Sequence, residues 1–222
     1  TLPAILNDRH RMTIIDEILK EVSHRPFEIP KGNWKYYQEW NRVLFLHWIV
    51  PFEQLKKCVP ANLDLDTFDG NCYVSLVAFT MEKIRPKYLP SVRYVSDFDE
   101  INVRTYIDNE GKKGVYFLNI EASKTMSAFI AKTISGLPYE RAKINRTEKS
   151  YYSNNFKKGF KLNSEFEFKE IVTNKTKLDK WLTERYCLYL YQENELYRYD
   201  IHHKECETKK VDIKSLRVNY KI

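Results

Sequence analysis

The sequence predicts an α+β fold built on a large antiparallel sheet or β-barrel, with three to four helices inserted among the strands. Three observations carry this. Strand-like segments, apolar throughout or alternating, outnumber those with helical spacing. The joints between them are short, as at Asp69-Gly70, Gly159 and Glu193-Asn194, so neighbours pair mostly antiparallel. The composition, with 16 Tyr and 12 Phe but only 6 Gly among 222 residues, favours sheet over helix.

Taken in order, Met12, Ile15, Leu19 and Val22 recur at three- and four-residue spacing and predict a helix over 11–24, ended by Pro26 and Pro30. Residues 1–33 are therefore expected to form a helical appendage on a domain spanning 34–205. Arg42 to Val50 is apolar on both faces, as in a buried strand, and Pro51 opens a short helix to Cys58. A long strand runs from Asn71 to Glu82, a loop over 84–97, and a strand from Phe98 to Asp108 that turns into Gly114 to Ala122. A helix over 124–135 follows, with Ser123 as its cap, Met126, Phe129, Ile130 and Ile134 as its apolar stripe, and Gly136 as its stop. More strands fill 140–172, a helix spans 175–185 with Leu178, Trp181 and Leu182 inward, and two short strands flank Glu193-Asn194. Residues 206–222 form a charged tail, loosely held, whose last residues alternate like an edge strand.

Composition narrows the class. No run approaches the ~18 apolar residues of a membrane span, and Asn7 to Arg11 sit where the apolar core of a leader peptide would be. Cys58, Cys72, Cys187 and Cys206 lie far apart, as reduced thiols of a cytoplasmic protein do. The net charge of +7 suggests anionic partners. However, the lysines and arginines are interleaved with acids, and the basic stretch around Lys143 to Lys161 carries no nucleic-acid motif, so nucleic acid is the disfavoured partner.

The most informative segment is Phe98 to Ile107. Alternation places Ile101, Val103, Thr105 and Ile107 on one face and Glu100, Asn102, Arg104 and Tyr106 on the other. Facing inward, the second row joins a carboxylate, an amide, a guanidinium and a phenol in a ligand site. The same alternation also suits a solvent-facing strand with cross-strand ion pairs. Tyr139, Glu140 and Arg141 follow the helix stop at Gly136, where sites are often placed but where spacing alone favours an ordinary turn. His47, between Leu46 and Trp48, has the setting of a core histidine. His202, His203 and Cys206 offer metal-ligand types, but adjacent strand residues point to opposite faces and the spacing matches no zinc pattern, so no metal is expected.

Several segments together resemble the YqjF-like bacterial proteins, domain of unknown function 2071. They are Phe45-Leu-His-Trp48, Leu63-Asp-Leu-Asp-Thr-Phe-Asp-Gly70, Glu100-Ile-Asn-Val-Arg-Thr-Tyr106, Gly114-Val-Tyr-Phe117, Gly136-Leu-Pro-Tyr139, Leu182-Thr-Glu-Arg-Tyr186 and Ile201-His-His203, in that order from about Trp40 to His203. That family is similar to the acetoacetate decarboxylases. The resemblance implies a cone-like barrel around a small-molecule pocket. In those enzymes a lysine pair after a Gly-aromatic-Pro turn forms a Schiff base with a β-keto acid. Gly136-Leu137-Pro138 resembles the turn, but Tyr139 and Glu140 follow it, and neither forms an imine. The resemblance offers Glu100 as counterpart of the active-site glutamate. It aligns the pocket arginine near His47-Trp48, where it is missing, leaving the anion to Arg104.

The expectation is thus a small-molecule-binding protein for a small anionic or carbonyl ligand, without a cofactor. Glu100 and Tyr139 hold the chemical roles, and Arg104, Asn102, Tyr106, Arg141 and His47 bind. A lyase using another residue such as Lys143, and a basic nucleic-acid module, are the alternatives. Homo-oligomerisation is left open.

Overall fold

The computed structural model describes residues 14–124, 136–137 and 139–221. Residues 125–135 of the helix expected over 124–135 and Pro138 of the Gly-Leu-Pro turn lie outside them, as do residues 11–13 of the first expected helix.

Residues 14–20 form helix α1. Strand β1 (Tyr36–Val50) leads through α2 (Phe52–Lys56) to β2 (Cys72–Pro86), and a single turn α3 (Arg93–Ser96), inside the expected loop, precedes β3 (Phe98–Asn109). There follow β4 (Lys112–Ala122), β5 (Tyr139–Arg141), β6 (Lys143–Arg146), β7 (Ser150–Asn155), β8 (Phe160–Ile171), α4 (Lys177–Thr183), β9 (Cys187–Gln192), β10 (Glu195–Asp200) and β11 (Lys209–Asn219). The α4 helix starts where a capping box holds it: Thr176 Oγ1 accepts from Asp179 N at 3.1 Å, and the Asp179 carboxylate accepts from Thr176 N at 2.8 Å. The β9–β10 hairpin turns on Glu193 and Asn194, both at positive φ, as a tight two-residue turn demands.

The strands form two sheets. The larger runs β1-β2-β3-β4-β9-β10 with β5 also on β4, and the smaller runs β11-β8-β7-β6. Pairing is antiparallel except where β5 and β9 lie parallel to β4. Among the described residues neither sheet closes on itself, so the large sheet is present and a hydrogen-bonded barrel is not. The strand expected to be buried, β1, is an edge. Register shifts at Tyr37/Glu39 and Asn41/Leu44 bend it, and Trp48 and Ile49 reach solvent. Its apolar run on both faces comes from covering a core on each side rather than from a central place in the sheet.

The small sheet packs on one face of the large one. Leu44, Leu46, Leu76, Ala78, Ile101, Val103 and Ile107 meet Tyr151, Leu162 and Phe166 there. Glu121, fully buried, sits at this seam, where Asn119, Asn155, Ser153 and Tyr220 donate to its oxygens at 2.9–3.3 Å. Tyr220 follows β11, which pairs with β8 from Lys209 to Asn219, so the charged C-terminal segment is an integral edge strand and not a loose tail. The opposite face of the large sheet carries two further clusters. In one, Leu182, Leu178 and Trp181 of α4 cover Tyr73, Tyr106, Val115 and Ile120; in the other, Phe79, Met81, Phe98 and Ala122 pack with Trp40, Phe45 and Tyr139. The polar row of β3 lies between and among these clusters.

The N-terminal segment is clasped by the 201–203 corner. Arg25 donates to Ile201 O at 2.8 Å and lies over the Tyr186 ring, while His24 bonds His203 O and His202 bonds Ile18 O.

Candidate functional site

Strand alternation sorts β3 as the pattern predicts, and both faces are buried. Ile101, Val103 and Ile107 enter the main core, while Glu100, Asn102, Arg104 and Tyr106 point to the opposite side of the sheet, each 5% exposed or less. Register assembles the rest of that side. Phe79 stands opposite Glu100, Val77 opposite Asn102 and Ser75 opposite Arg104, and His47 on β1 stands opposite Ser75.

At one end of the row Tyr139 Oη donates to Glu100 Oε2 at 3.0 Å, and Asn102 Nδ2 lies 3.4 Å from Glu100 Oε1. Tyr139 reaches this position because β5 pairs parallel with β4 directly after Gly136, whose φ of +69° a residue with a Cβ rarely adopts. Burial raises the Glu100 carboxyl to about 7, against the two hydrogen bonds that favour its ionised form. Burial and the facing carboxylate push the Tyr139 phenol well up, so it remains a donor. A carboxyl that exchanges its proton near neutrality beside a fixed donor suits general acid–base work or hydrogen bonding to a carbonyl.

At the other end lies Arg104. Its guanidinium carbon sits 5.6 Å from the centre of the Phe45 ring, and the guanidinium makes no hydrogen bond or ion pair among the described residues. Its Nε and the Asn102 Oδ1 between the two ends are buried without a partner. Buried arginines are normally paired, because an uncompensated charge in a low dielectric costs several kcal/mol. Arg185 shows the ordinary solution: 5% exposed, it donates to Asp66 Oδ2 at 2.6 Å and stacks on Trp181 and Tyr106.

His47 joins through a chain of hydrogen bonds. Its Nδ1 lies 2.6 Å from Ser75 Oγ, Ser75 Oγ lies 2.5 Å from Tyr106 Oη, and Tyr106 Oη donates to Leu182 O at 3.0 Å. Burial, then the charge of Arg104, lowers the imidazole to about 4 against a weaker opposite pull from Asp179, so the ring is neutral. Among the predicted residues the structure thus unites Glu100, Tyr139, Asn102, Arg104, Tyr106 and His47 on one side of the sheet. It leaves out Arg141, whose side chain is exposed at the end of β5. Lys143 is likewise exposed, on β6. Glu140 turns to Asn155 and Lys158.

Sequence reasoning missed Ser75, which connects His47 to Tyr106. The available signal was one serine in the run Cys72 to Phe79, on the same parity as Tyr73 and Val77. It also missed the pairing of Asp66 with Arg185, which no local pattern reveals across more than a hundred residues. The imagined metal trio is rearranged. Glu184, His203 and Cys206 bring donor atoms within 4.8 Å of one another, while His202 turns away to Ile18 O and Arg25. Cys206 N, Tyr186 Oη and Lys175 Nζ already engage the Glu184 carboxylate, and burial holds the Cys206 thiol up at about 12. The trio therefore acts as a hydrogen-bonded junction between α4 and the 201–206 corner. Beside it opens a cleft of about 490 Å³ lined by His24, Trp181, Glu184 and Arg185, which neither Glu100 nor Arg104 lines.

Comparison with known proteins agrees with the fold. A family model described as "Uncharacterized conserved protein", domain of unknown function 2071, matches residues 37–221. The uncharacterized protein YqjF of Bacillus subtilis strain 168 is 37% identical over 183 residues, which is 79% of this chain and 75% of that one. Among solved structures, an acetoacetate decarboxylase from Legionella pneumophila superposes with a TM-score of 0.53 at 14% identity, covering 89% of this chain and 82% of its own. An acetoacetate-decarboxylase-like enzyme from Sphingomonas wittichii RW1 gives 0.52 at 12% identity, covering 86% and 85%. At such identities the likeness is one of fold.

Proposed function

Because the chain belongs to the conserved family of domain of unknown function 2071, whose relatives in structure are acetoacetate-decarboxylase-like, we propose that it binds a small carboxylate at the buried face of β3. The observation that carries this reading is Arg104. A guanidinium on a side chain only 5% exposed, its Nε buried and no carboxylate bonded to it among the described residues, calls for an anion, and a carboxylate fits its planar fork. Phe45 flanks the guanidinium and gives the ligand an apolar wall.

The rest of the ligand runs along Asn102 toward Glu100 and Tyr139. Along a strand, the four steps from residue 100 to 104 span about 13 Å, part of it covered by the long Arg104 side chain. An acid of several carbons with a carbonyl or hydroxyl group matches that length. Glu100 and Tyr139 then act as the hydrogen-bonding pair, with Glu100 able to take or give a proton near neutral pH. In this proposal the face is one wall of a cone-like pocket. In this reading the imine chemistry that the resemblance implies is not used, since Tyr139 and Glu140 stand where the resemblance places the lysine pair, and Tyr139 is engaged with Glu100.

Titration calorimetry with acetoacetate tests this on the wild type and on Arg104→Met. Saturable binding is expected in the wild type and binding at least about thirtyfold weaker in the variant, the usual loss when one partner of a buried charge pair is removed. Borohydride added to the complex is expected to leave every lysine unmodified by mass spectrometry. A lysine adduct would support a lyase, and equal binding by the variant would refute the anchor.

A further inference from the structure

The hydrogen-bond chain behind His47 has a direction. Tyr106 Oη owns one proton and gives it to Leu182 O, which can only accept. In the contact between Ser75 Oγ and Tyr106 Oη, Ser75 must therefore be the donor. That uses the only proton of Ser75, so His47 Nδ1 must supply the proton shared with Ser75 Oγ. A neutral imidazole protonated at Nδ1 has a bare lone pair at Nε2. No hydrogen bond occupies that nitrogen among the described residues.

Phe45 brings the His47 ring and Arg104 to one neighbourhood. The His47 ring stacks on Phe45 at 5.8 Å between centroids, and the Arg104 guanidinium lies 5.6 Å from the same ring. The imidazole and the guanidinium thus both lie against one aromatic side chain. The neighbouring guanidinium opposes a second positive charge, so His47 accepts a hydrogen bond rather than a full proton. Its lone pair repels a carbonyl oxygen or a second carboxylate and welcomes an O–H or N–H.

We infer that His47 makes this site selective for a monocarboxylate that also carries a hydrogen-bond donor, a hydroxy acid in preference to its keto or unsubstituted counterpart. This rests on the carboxylate reading of Arg104 and narrows it. His47 acts here as a specificity-determining residue, and Ser75 and Tyr106 act as positioning residues that fix its tautomer.

Four acids of one length separate the possibilities: 2-hydroxybutyrate, 3-hydroxybutyrate, butyrate and acetoacetate. Calorimetry on the wild type is expected to show at least one hydroxy acid binding about tenfold tighter than butyrate and acetoacetate, the scale of one hydrogen bond gained in a buried site. In His47→Phe that preference is expected to vanish, the hydroxy acids binding no tighter than butyrate and acetoacetate do to the same variant. Nitrogen-15 spectra of the wild-type imidazole are expected to show Nδ1 protonated and Nε2 bare, with the Nε2 signal moving when the preferred hydroxy acid is added. A proton on Nε2, or four acids bound alike with no effect of His47→Phe, overturns the inference and leaves the carboxylate reading standing. Should none of the acids bind, or should Arg104→Met bind them as the wild type does, the reading and the inference fall together.

Discussion

Two residues on one face titrate away from their usual ranges in opposite senses. Ionising Glu100 in its buried position costs the fold on the order of 3 kcal/mol, since its carboxyl moves from 4.5 to about 7. The folded carboxyl holds its proton longer than the unfolded one, so the penalty is absent below pH 4.5, grows between 4.5 and 7, and is complete above that. His47 runs the other way. Its folded value of about 4 lies below the ordinary 6.5, so the fold loses stability as pH falls through that window. The two effects oppose each other in the wild type. In Glu100→Gln, where the amide oxygen still accepts from Tyr139, urea unfolding followed from pH 4.5 to 8 is expected to show a stability gain over the wild type that widens up to about pH 7 and then stays level. A gap that does not change with pH contradicts the burial of an ionisable group there. The facing of Glu100, Asn102, Arg104 and Tyr106 was legible from alternation alone. That Arg104 has no hydrogen-bonded or ionic partner among the described residues was not, because a strand pattern says which face a side chain takes and nothing about what the neighbouring strands set against it.

At the scale of elements, the site depends on how β4 is flanked. It pairs with β3 on one side, and on the other accepts β9 and β5 in parallel, the second of which carries Tyr139. Gly114 permits the β9 contact. A Cβ there would stand 2.5 Å from Cys187 O and 2.7 Å from Cys187 Cβ, atoms that cannot swing aside. Gly114→Ala is expected to push β9 away and lower the unfolding free energy by about 1–3 kcal/mol, seen as a lower urea midpoint at unchanged slope. Gly159→Ala, with open space around the new Cβ, is expected to show only the left-handed backbone penalty of about 1 kcal/mol. Equal losses at the two sites contradict the close approach of β4 and β9. Here the sequence was readable where chemistry is local. The Glu193-Asn194 turn, the strand at Phe98 and the helix around Leu178 to Leu182 announce themselves within a few residues. The edge position of β1 and the pairing of β11 with β8 do not, since each depends on a partner tens of residues away. The charges of β11 look like a tail in isolation, and in the sheet they are the charged side chains by which edge strands avoid further pairing.

For the molecule as a whole, two open sheets share a core on one side, while the large sheet keeps on its other side a row of buried polar groups in which Arg104 Nε and Asn102 Oδ1 have no partner among the described residues. A protein gains nothing in stability from Arg104 in that state. The stability of the ligand-free Arg104→Met variant therefore tests the central claim most directly. With the unpaired charge replaced by a flexible apolar side chain of similar length, unfolding in urea is expected to show the variant as stable as the wild type or more stable by about 1–4 kcal/mol. A loss of several kcal/mol would mean that the guanidinium is a satisfied structural element, and would contradict a site built to receive an anion.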